Sequence, residues 1–156
     1  MTVSIFGTRP PKAVLNMALA TGILLASGLY IQSRAELPAT QIQGSTEYIS
    51  GGFGLDESTA LKQAMDQWPL ALTFASQVDG KAAYAGEVQV VIRNASDATV
   101  LNVSSDGPYF LARLDPGSYR VFATYDNQTQ SKEITIAPAG TTRVTFTWNR
   151  PASGPD

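Results

Sequence analysis

The sequence predicts a mainly β protein, a seven-stranded antiparallel β-sandwich preceded by one short amphipathic helix and an N-terminal signal or anchor helix. Three observations support this fold class. Seven short segments between positions 70 and 148 alternate apolar and polar residues, and Gly, Asn, Asp and Pro separate them. One segment before them spaces its apolar residues as a helix does. The 156 residues have room for one such domain and an appendage.

The first 35 residues have the composition of an export leader. Arg9 and Lys12 precede a stretch without charge, residues 13–33, and Ser33-Arg34-Ala35 places small residues where a cleavage site needs them. Two interpretations stay open. One is a cleaved secretory signal peptide, which predicts a periplasmic or envelope-associated protein. The other is an uncleaved inner-membrane anchor, because about 20 apolar residues can span a bilayer.

Residues 36–47 show no periodicity and predict a linker. Residues 48–69 begin with the Gly-rich lead-in "YISGGFG" and continue into a helix that Pro69 ends. Asp56 is the predicted N-cap. A helix of about three turns is marginal alone, so its apolar face is expected to dock on another element. That face consists of residues at helical spacing: Leu61, Ala64, Met65 and Trp68.

The sandwich is predicted to occupy residues 70–148. In the last and most regular segment, Val144, Phe146 and Trp148 share one face of the strand. The polar, Pro- and Gly-rich residues 149–156 predict a disordered tail. The seven predicted strands are residues 70–75, 87–94, 98–105, 109–114, 118–125, 131–137 and 142–149.

The stretch "SDGPYFLARLDPGSYRV", residues 105–121, predicts two turns and a tyrosine contact. Asp106-Gly107 favours a tight hairpin turn with positive φ. Pro116-Gly117 suits the two central positions of a type II turn. Tyr119 then enters the next strand on its inward face, where its hydroxyl can reach a backbone group of the turn, an arrangement similar to a tyrosine corner.

This order of residues resembles carboxypeptidase regulatory-like domains, which have a prealbumin-like (transthyretin-like) seven-stranded sandwich. The resemblance covers roughly residues 70–148. Asp115 and Asp126-Asn127 depart from the family's usual Pro and Gly-aromatic residues, but both replacements suit turns. Residues 48–65 also resemble the lead-in of small exported bacterial proteins that carry this domain. The matching positions are Asp106, Gly107, Phe110, Leu111, Leu114, Pro116, Gly117, Tyr119 and Val121.

The resemblance implies an accessory, stabilising or binding module, because in that family the zinc peptidase chemistry belongs to a separate domain. The composition independently argues against catalysis. The chain has no Cys and no His, which removes thiol nucleophiles, imidazole acid–base groups and nearly every zinc site. We therefore expect no enzyme activity, no cofactor and no metal. The weaker alternative to the absence of a metal is a calcium site, with ligands from Asp97, Asp106 and Asp126. No loop, however, has the dense D-x-D-x-D pattern typical of such sites.

Charge excludes one class of partner. Residues 36–156 carry eight Lys and Arg against thirteen Asp and Glu, a net charge of −5. Nucleic acids need a basic footprint, so we do not expect nucleic-acid binding. If the leader is not cleaved, residues 13–33 would attach the protein to a membrane.

Four aromatic residues form the candidate binding surface: Tyr48 and Phe53 in the Gly-rich lead-in, and Tyr84 and Tyr109, which belong to no clear apolar face. Two functions remain open. The leading hypothesis is protein–protein contact with an unknown envelope protein, in which an exposed sheet edge recruits a partner strand. The alternative is binding of a carbohydrate or surface polymer through these aromatic rings.

Overall fold

The computed structural model describes residues 36–150. The predicted leader, residues 1–35, and residues 151–156 of the predicted tail lie outside the described residues. The described chain is mainly β, with one α-helix and one turn of 3-10 helix. The elements are β1 (Gln41–Gln43), β2 (Thr46–Gly51), α1 (Leu55–Ala64), the 3-10 turn (Met65–Gln67), β3 (Leu70–Val78), β4 (Lys81–Tyr84), β5 (Val88–Asn94), β6 (Thr99–Ser105), β7 (Tyr109–Ala112), β8 (Gly117–Tyr125), β9 (Gln128–Ile136) and β10 (Thr142–Arg150).

The strands form two sheets. Sheet A has six strands in the order β1-β2-β7-β3-β10, with β4 also paired to β3, and sheet B has the order β6-β5-β8-β9. All pairs are antiparallel except β3 with β10, which run parallel from Leu70–Thr142 to Val78–Arg150. The prediction of a wholly antiparallel sandwich is therefore wrong at this pair. The preceding strand, β9, belongs to the other sheet, so no hairpin turn sets the direction of β10.

The described chain has ten strands where seven were predicted. The additional strands are β1, β2 and β4. Strands β1 and β2 come from the predicted linker and Gly-rich lead-in, and β4 comes from "KAAY", in which no apolar alternation marks a strand. The first two residues of the predicted tail, Asn149 and Arg150, belong to β10.

One apolar core lies between the two sheets and confirms the predicted strand faces. Phe74 and Phe110 of sheet A and Val90 and Val121 of sheet B are fully buried in it. Trp148 is 1% exposed, lies 6.3 Å from Phe74 between ring centroids, and donates a hydrogen bond from Nε1 to the carbonyl oxygen of Gln128. A single shared cluster shows that the sheets pack face to face.

Helix α1 covers the outer face of sheet A. The predicted apolar residues Leu61, Ala64, Met65 and Trp68 are all buried, and they form a second cluster with β-strand residues. The N-cap is Gly54 rather than Asp56, without a side-chain capping hydrogen bond, so Asp56 lies in the first turn, where its charge favours the helix dipole. The partners on sheet A are Ile49, Ala71, Tyr109 and Leu111.

The Gly-rich lead-in connects a strand to the helix: residues 48–51 form the end of β2, and residues 52–54 lead into α1. Gly51 and Gly52 are buried at the end of β2. At Gly52 the φ angle is 102°, and a Cβ atom would lie 2.4 Å from the ring of Tyr109. Glycine is therefore needed here for both its backbone conformation and the close approach of an aromatic ring.

The Asp106-Gly107 stretch does not form the predicted hairpin turn. Strand β6 belongs to sheet B and β7 to sheet A, so these residues cross between sheets. Gly107 allows a close backbone approach, because a Cβ there would lie 2.3 Å from the carbonyl oxygen of Gly51. Gly117 is the first residue of β8, with φ 154°, so it does not have the type II geometry.

The tyrosine contact of the same stretch is confirmed. Tyr119 donates a hydrogen bond from its hydroxyl to the carbonyl oxygen of Asp115 at 2.7 Å. Its ring packs against the edge of the core between the sheets. Burial, followed by the charge of Asp115, raises the pKa of Tyr119.

We expect Leu61→Ala to destabilise the protein by about 2–5 kcal/mol, because it leaves a cavity between α1 and sheet A. The matched control is Gln63→Ala on the exposed side of the same helix, which is expected to change stability by no more than about 0.5 kcal/mol. Equilibrium denaturation in urea measures both. Equal stabilities of the two variants would show that the packing of α1 on sheet A does not stabilise the domain.

Candidate functional site

Tyr48 does not belong to a surface site. It is 7% exposed and lies in the core between the sheets, where its ring stacks on Phe110 at a centroid distance of 5.4 Å. Its hydroxyl donates a hydrogen bond to Oε1 of Gln41 on the neighbouring strand. The prediction that Tyr48 belongs to the binding surface is wrong, because Tyr48 lies in β2, which pairs with β1 and β7.

Tyr84 and Tyr109 lie side by side on the outer face of sheet A. Strands β4 and β7 pair with the same side of β3, where Tyr84 is opposite Ala75 and Tyr109 is opposite Thr73. The ring centroids are 5.9 Å apart, and the Tyr109 hydroxyl donates a hydrogen bond to the Tyr84 hydroxyl at 3.3 Å. Tyr84 is 55% exposed, whereas Tyr109 is buried under α1. Only Tyr84 is therefore available to a partner.

Phe53 is the second exposed ring of this region. It is 66% exposed and packs on Gly86, where a Cβ would lie 2.0 Å from Cζ of the ring. The preceding residue, Gly52, lies against the ring of Tyr109, which in turn contacts Tyr84. Phe53 is therefore next to the tyrosine pair along the chain. We call Phe53, Tyr84 and Tyr109 the aromatic patch. Spacing in the sequence does not reveal the role of Gly86, since this contact joins residues far apart in the chain.

The aromatic patch is uncharged but lies beside a cation. Lys62 of α1 places Nζ 5.6 Å from the ring centroid of Tyr109, within the range of a cation–π interaction. Burial, with the hydrogen bond to Tyr84 as the second cause, raises the pKa of Tyr109. The Tyr109 hydroxyl thus stays protonated at neutral pH. The patch offers aromatic surface and hydroxyl groups rather than a nucleophile.

Strand β4 presents a sheet edge next to the patch. Asp79 and Gly80 both have positive φ, 51° and 73°, and form the two-residue turn between β3 and β4. Within the described part of the chain, β3 is the only strand that pairs with β4. All four β4 residues are exposed.

The pairing register shows which backbone groups of β4 point outwards. Lys81 follows the two-residue turn and lies opposite Val78, so these two residues form a hydrogen-bonded pair. Hydrogen-bonded and non-hydrogen-bonded pairs alternate along an antiparallel ladder, so the next residue, Ala82, makes no hydrogen bond to β3. By this alternation, Ala82 and Tyr84 direct their N–H and C=O groups away from β3. The bond from the Ala85 N–H to the Phe74 carbonyl oxygen, 3.3 Å, continues the same alternation.

Other margins of the two sheets are closed by side chains. Strand β10 forms one margin of sheet A, and its carbonyl oxygens at Thr145 and Thr147 accept hydrogen bonds from Lys132 (2.6 Å) and Gln130 (2.8 Å) of β9. On the opposite margin, the Gln43 side chain both donates to and accepts from the backbone of Asn102 in β6. These side chains occupy groups that would otherwise template another strand.

Two surface depressions lie elsewhere. One, of about 530 Å³, lies on sheet B around Asn94, Ser118 and Arg120, and the other, of about 360 Å³, lies beside Trp68. In the first, Arg120 is hydrogen-bonded to Glu133 at 2.5 Å, which raises the pKa of Arg120. The guanidinium group is thus already engaged by a carboxylate, so this depression offers no free cationic centre.

The carboxylates considered for calcium are separate from one another. Asp97 pairs with Arg93 and Asp126 with Arg150, while Asp106 accepts a hydrogen bond from Ser50. Across residues 36–150, no three potential metal-ligating residues converge. The three carboxylates therefore serve turns and ion pairs, as their sequence positions beside turn residues suggest.

A scan of protein-family models finds none that matches this chain, and no curated protein matches it either. Within the described residues, no helix combines the length and the apolar character needed to cross a membrane. The resemblance to carboxypeptidase regulatory-like domains therefore stays a prediction.

We expect Tyr109 to make the fold sensitive to alkaline pH. Because its folded-state pKa is raised above 10.0, the folded protein retains a proton that the unfolded chain loses. This contribution to stability is complete below about pH 10 and declines as pH rises towards the folded-state pKa. Between about pH 9 and pH 11.5, Tm is expected to fall less in Tyr109→Phe than in the wild type. Parallel Tm curves would contradict the assignment.

Proposed function

We propose that this protein is a non-enzymatic accessory module that acts through protein–protein contact, with the edge of β4 and the aromatic patch as its binding surface. One observation carries the proposal: the outward backbone groups of Ala82 and Tyr84 lie on the strand that carries the exposed Tyr84 ring, two residues before Gly86, on which the exposed ring of Phe53 packs. An extended segment of a partner would add to β4 as a further strand of sheet A.

The two parts of the surface would have different roles. Backbone hydrogen bonds at Ala82 and Tyr84 would supply affinity with little dependence on the partner's sequence. The Tyr84 and Phe53 rings would contact the partner's side chains and supply selectivity, since aromatic residues dominate the energetics of protein interfaces. Tyr109 would hold the Tyr84 ring in place through the hydroxyl contact and the 5.9 Å ring contact.

We also propose that residues 70–148 form a carboxypeptidase regulatory-like domain of the prealbumin type. The two sheets around one core and the Tyr119–Asp115 contact support this proposal. The parallel β3–β10 pair and the hairpin of β4 depart from the expected seven antiparallel strands. The proposed location is the periplasm or cell envelope, with residues 13–33 as a cleaved signal or an inner-membrane anchor; the uncharged composition of these residues supports it.

Carbohydrate or surface-polymer binding is the second candidate, because the exposed faces of Phe53 and Tyr84 lie in one region with hydroxyl groups beside them. Trp68 and Trp148 are both buried, so neither indole ring would contact a ligand bound on this patch. Isothermal titration with soluble glycans tests the candidate directly. A heat of glycan binding that is measured with the wild type and lost in Tyr84→Ala would favour carbohydrate binding over strand addition.

We expect the double variant Phe53→Ala/Tyr84→Ala to capture envelope proteins about tenfold less efficiently or worse, because truncating an aromatic hot spot of an interface costs about 2 kcal/mol or more. Quantitative pull-down from envelope extracts measures the effect. The matched control is Ile42→Ala, an apolar side chain that is 67% exposed on β1, away from the patch. Equal capture by both variants, with unchanged Tm, would reject the patch as the binding surface.

A further inference from the structure

We propose that β4 pairs with β4 of a second copy of this chain, forming a two-fold dimer in which sheet A continues from one copy into the other. This inference rests on the proposed function, since it uses the same sheet edge, and it names the partner strand. The spacing of hydrogen-bonding groups, the size of the side chains and the charges along β4 carry it.

The hydrogen-bonding groups of β4 are complementary to those of a second β4. The two residues with outward N–H and C=O groups, Ala82 and Tyr84, are separated by one residue, Ala83. A two-fold axis beside Ala83 places Ala82 of each copy opposite Tyr84 of the other. Each of these pairs can exchange two N–H···O=C bonds, as antiparallel hydrogen-bonded pairs do. Any other register of this short strand leaves more outward groups unpaired.

The side chains of β4 permit this approach. Ala83 lies opposite Ala83 of the second copy in the non-hydrogen-bonded pair, where Cα atoms come within about 4.5 Å and two small side chains meet without obstruction. On the outer face, the half-exposed ring of Tyr84 lies over the small Ala82 of the second copy. The strand also contains no proline, one of the features that commonly protect sheet edges.

Charges along the edge favour the antiparallel arrangement. Lys81, the only charged residue of β4, lies two positions from Ala83, so the two lysines are about 14 Å apart along the paired strands, at about 3.4 Å per residue. In the same register each lysine lies opposite Ala85 of the other copy, so the two like charges stay apart.

The dimer is expected to be weak. Two strands of four residues and the rings beside them form a small contact, below the roughly 1,200 Å² of stable interfaces. A concentration-dependent equilibrium between monomer and dimer is the expected behaviour. Such an equilibrium would leave β4 accessible to a different partner at low concentration.

Ala83→Cys tests the two-fold axis directly. The chain contains no cysteine, so the introduced thiol is the only one. The expected Cα separation of about 4.5 Å falls within the range of disulfides. In a glutathione redox buffer, we expect the full-length variant to form a covalent dimer at least about tenfold faster than Ser131→Cys, whose thiol would lie on the exposed outer face of sheet B. Equal rates would overturn the dimer.

Ala82→Pro provides an independent test that does not depend on oxidation. Proline removes one outward N–H but no hydrogen bond to β3, a position at which edge strands tolerate it. We expect sedimentation velocity to show self-association weakened at least about tenfold, with Tm unchanged. Wild-type chain that stays monomeric at millimolar concentration, or an unaffected equilibrium in Ala82→Pro, would overturn the inference.

These outcomes separate the dimer from the proposed function. If no dimer forms while Phe53→Ala/Tyr84→Ala still loses its captured partner, the dimer is rejected and the proposed function stands. If the Ala83→Cys dimer forms while the double variant captures envelope proteins normally, the edge serves self-association and the proposed contact with another protein is rejected.

Discussion

The hydrogen bonds along β3 determine most of the architecture. This strand is nine residues long and pairs with β10 over its whole length on one side. On its other side, β7 covers only Leu70–Thr73, and the remaining backbone groups need partners. Strand β4 supplies them by folding back through a two-residue turn. The hairpin places Tyr84 next to Tyr109 and creates an edge to which no other strand of residues 36–150 is paired, so the candidate surface follows from the unequal lengths of β3 and β7.

Glycines hold the neighbouring segments against this hairpin. Gly107 packs against the backbone of Gly51, Gly52 against the ring of Tyr109, and Gly86 against Phe53. In each contact a Cβ atom would lie 2.4 Å or less from its neighbour, a separation that packed atoms do not adopt. The crossover between the sheets, the end of β2 and the start of β5 therefore meet at one place. The aromatic patch is a consequence of this junction.

The distribution of polar side chains gives the surface its functional meaning. Gln43, Gln130 and Lys132 bind backbone groups at two margins of the sandwich, whereas β4 has no such cover within the described chain. A protein that closes some edges with side chains while leaving an alanine-rich edge beside exposed rings has a surface suited to strand addition. The same geometry relates the proposed partner contact to self-association, because both would use the outward groups of Ala82 and Tyr84.

The local features could be predicted from the sequence: the buried faces of the predicted strands, the docking face of the helical segment at Leu61 and Trp68, and the hydroxyl contact of Tyr119. Periods of 2 and 3.6 residues encode which side chains share a face, and such periods are visible along the chain. Which aromatic residues remain exposed depends on tertiary packing. Tyr48 and Tyr109 are buried while Phe53 and Tyr84 are not. The parallel direction of β10 and the crossover at Gly107 were decided in the same way, because strand pairing joins residues far apart and leaves no local pattern.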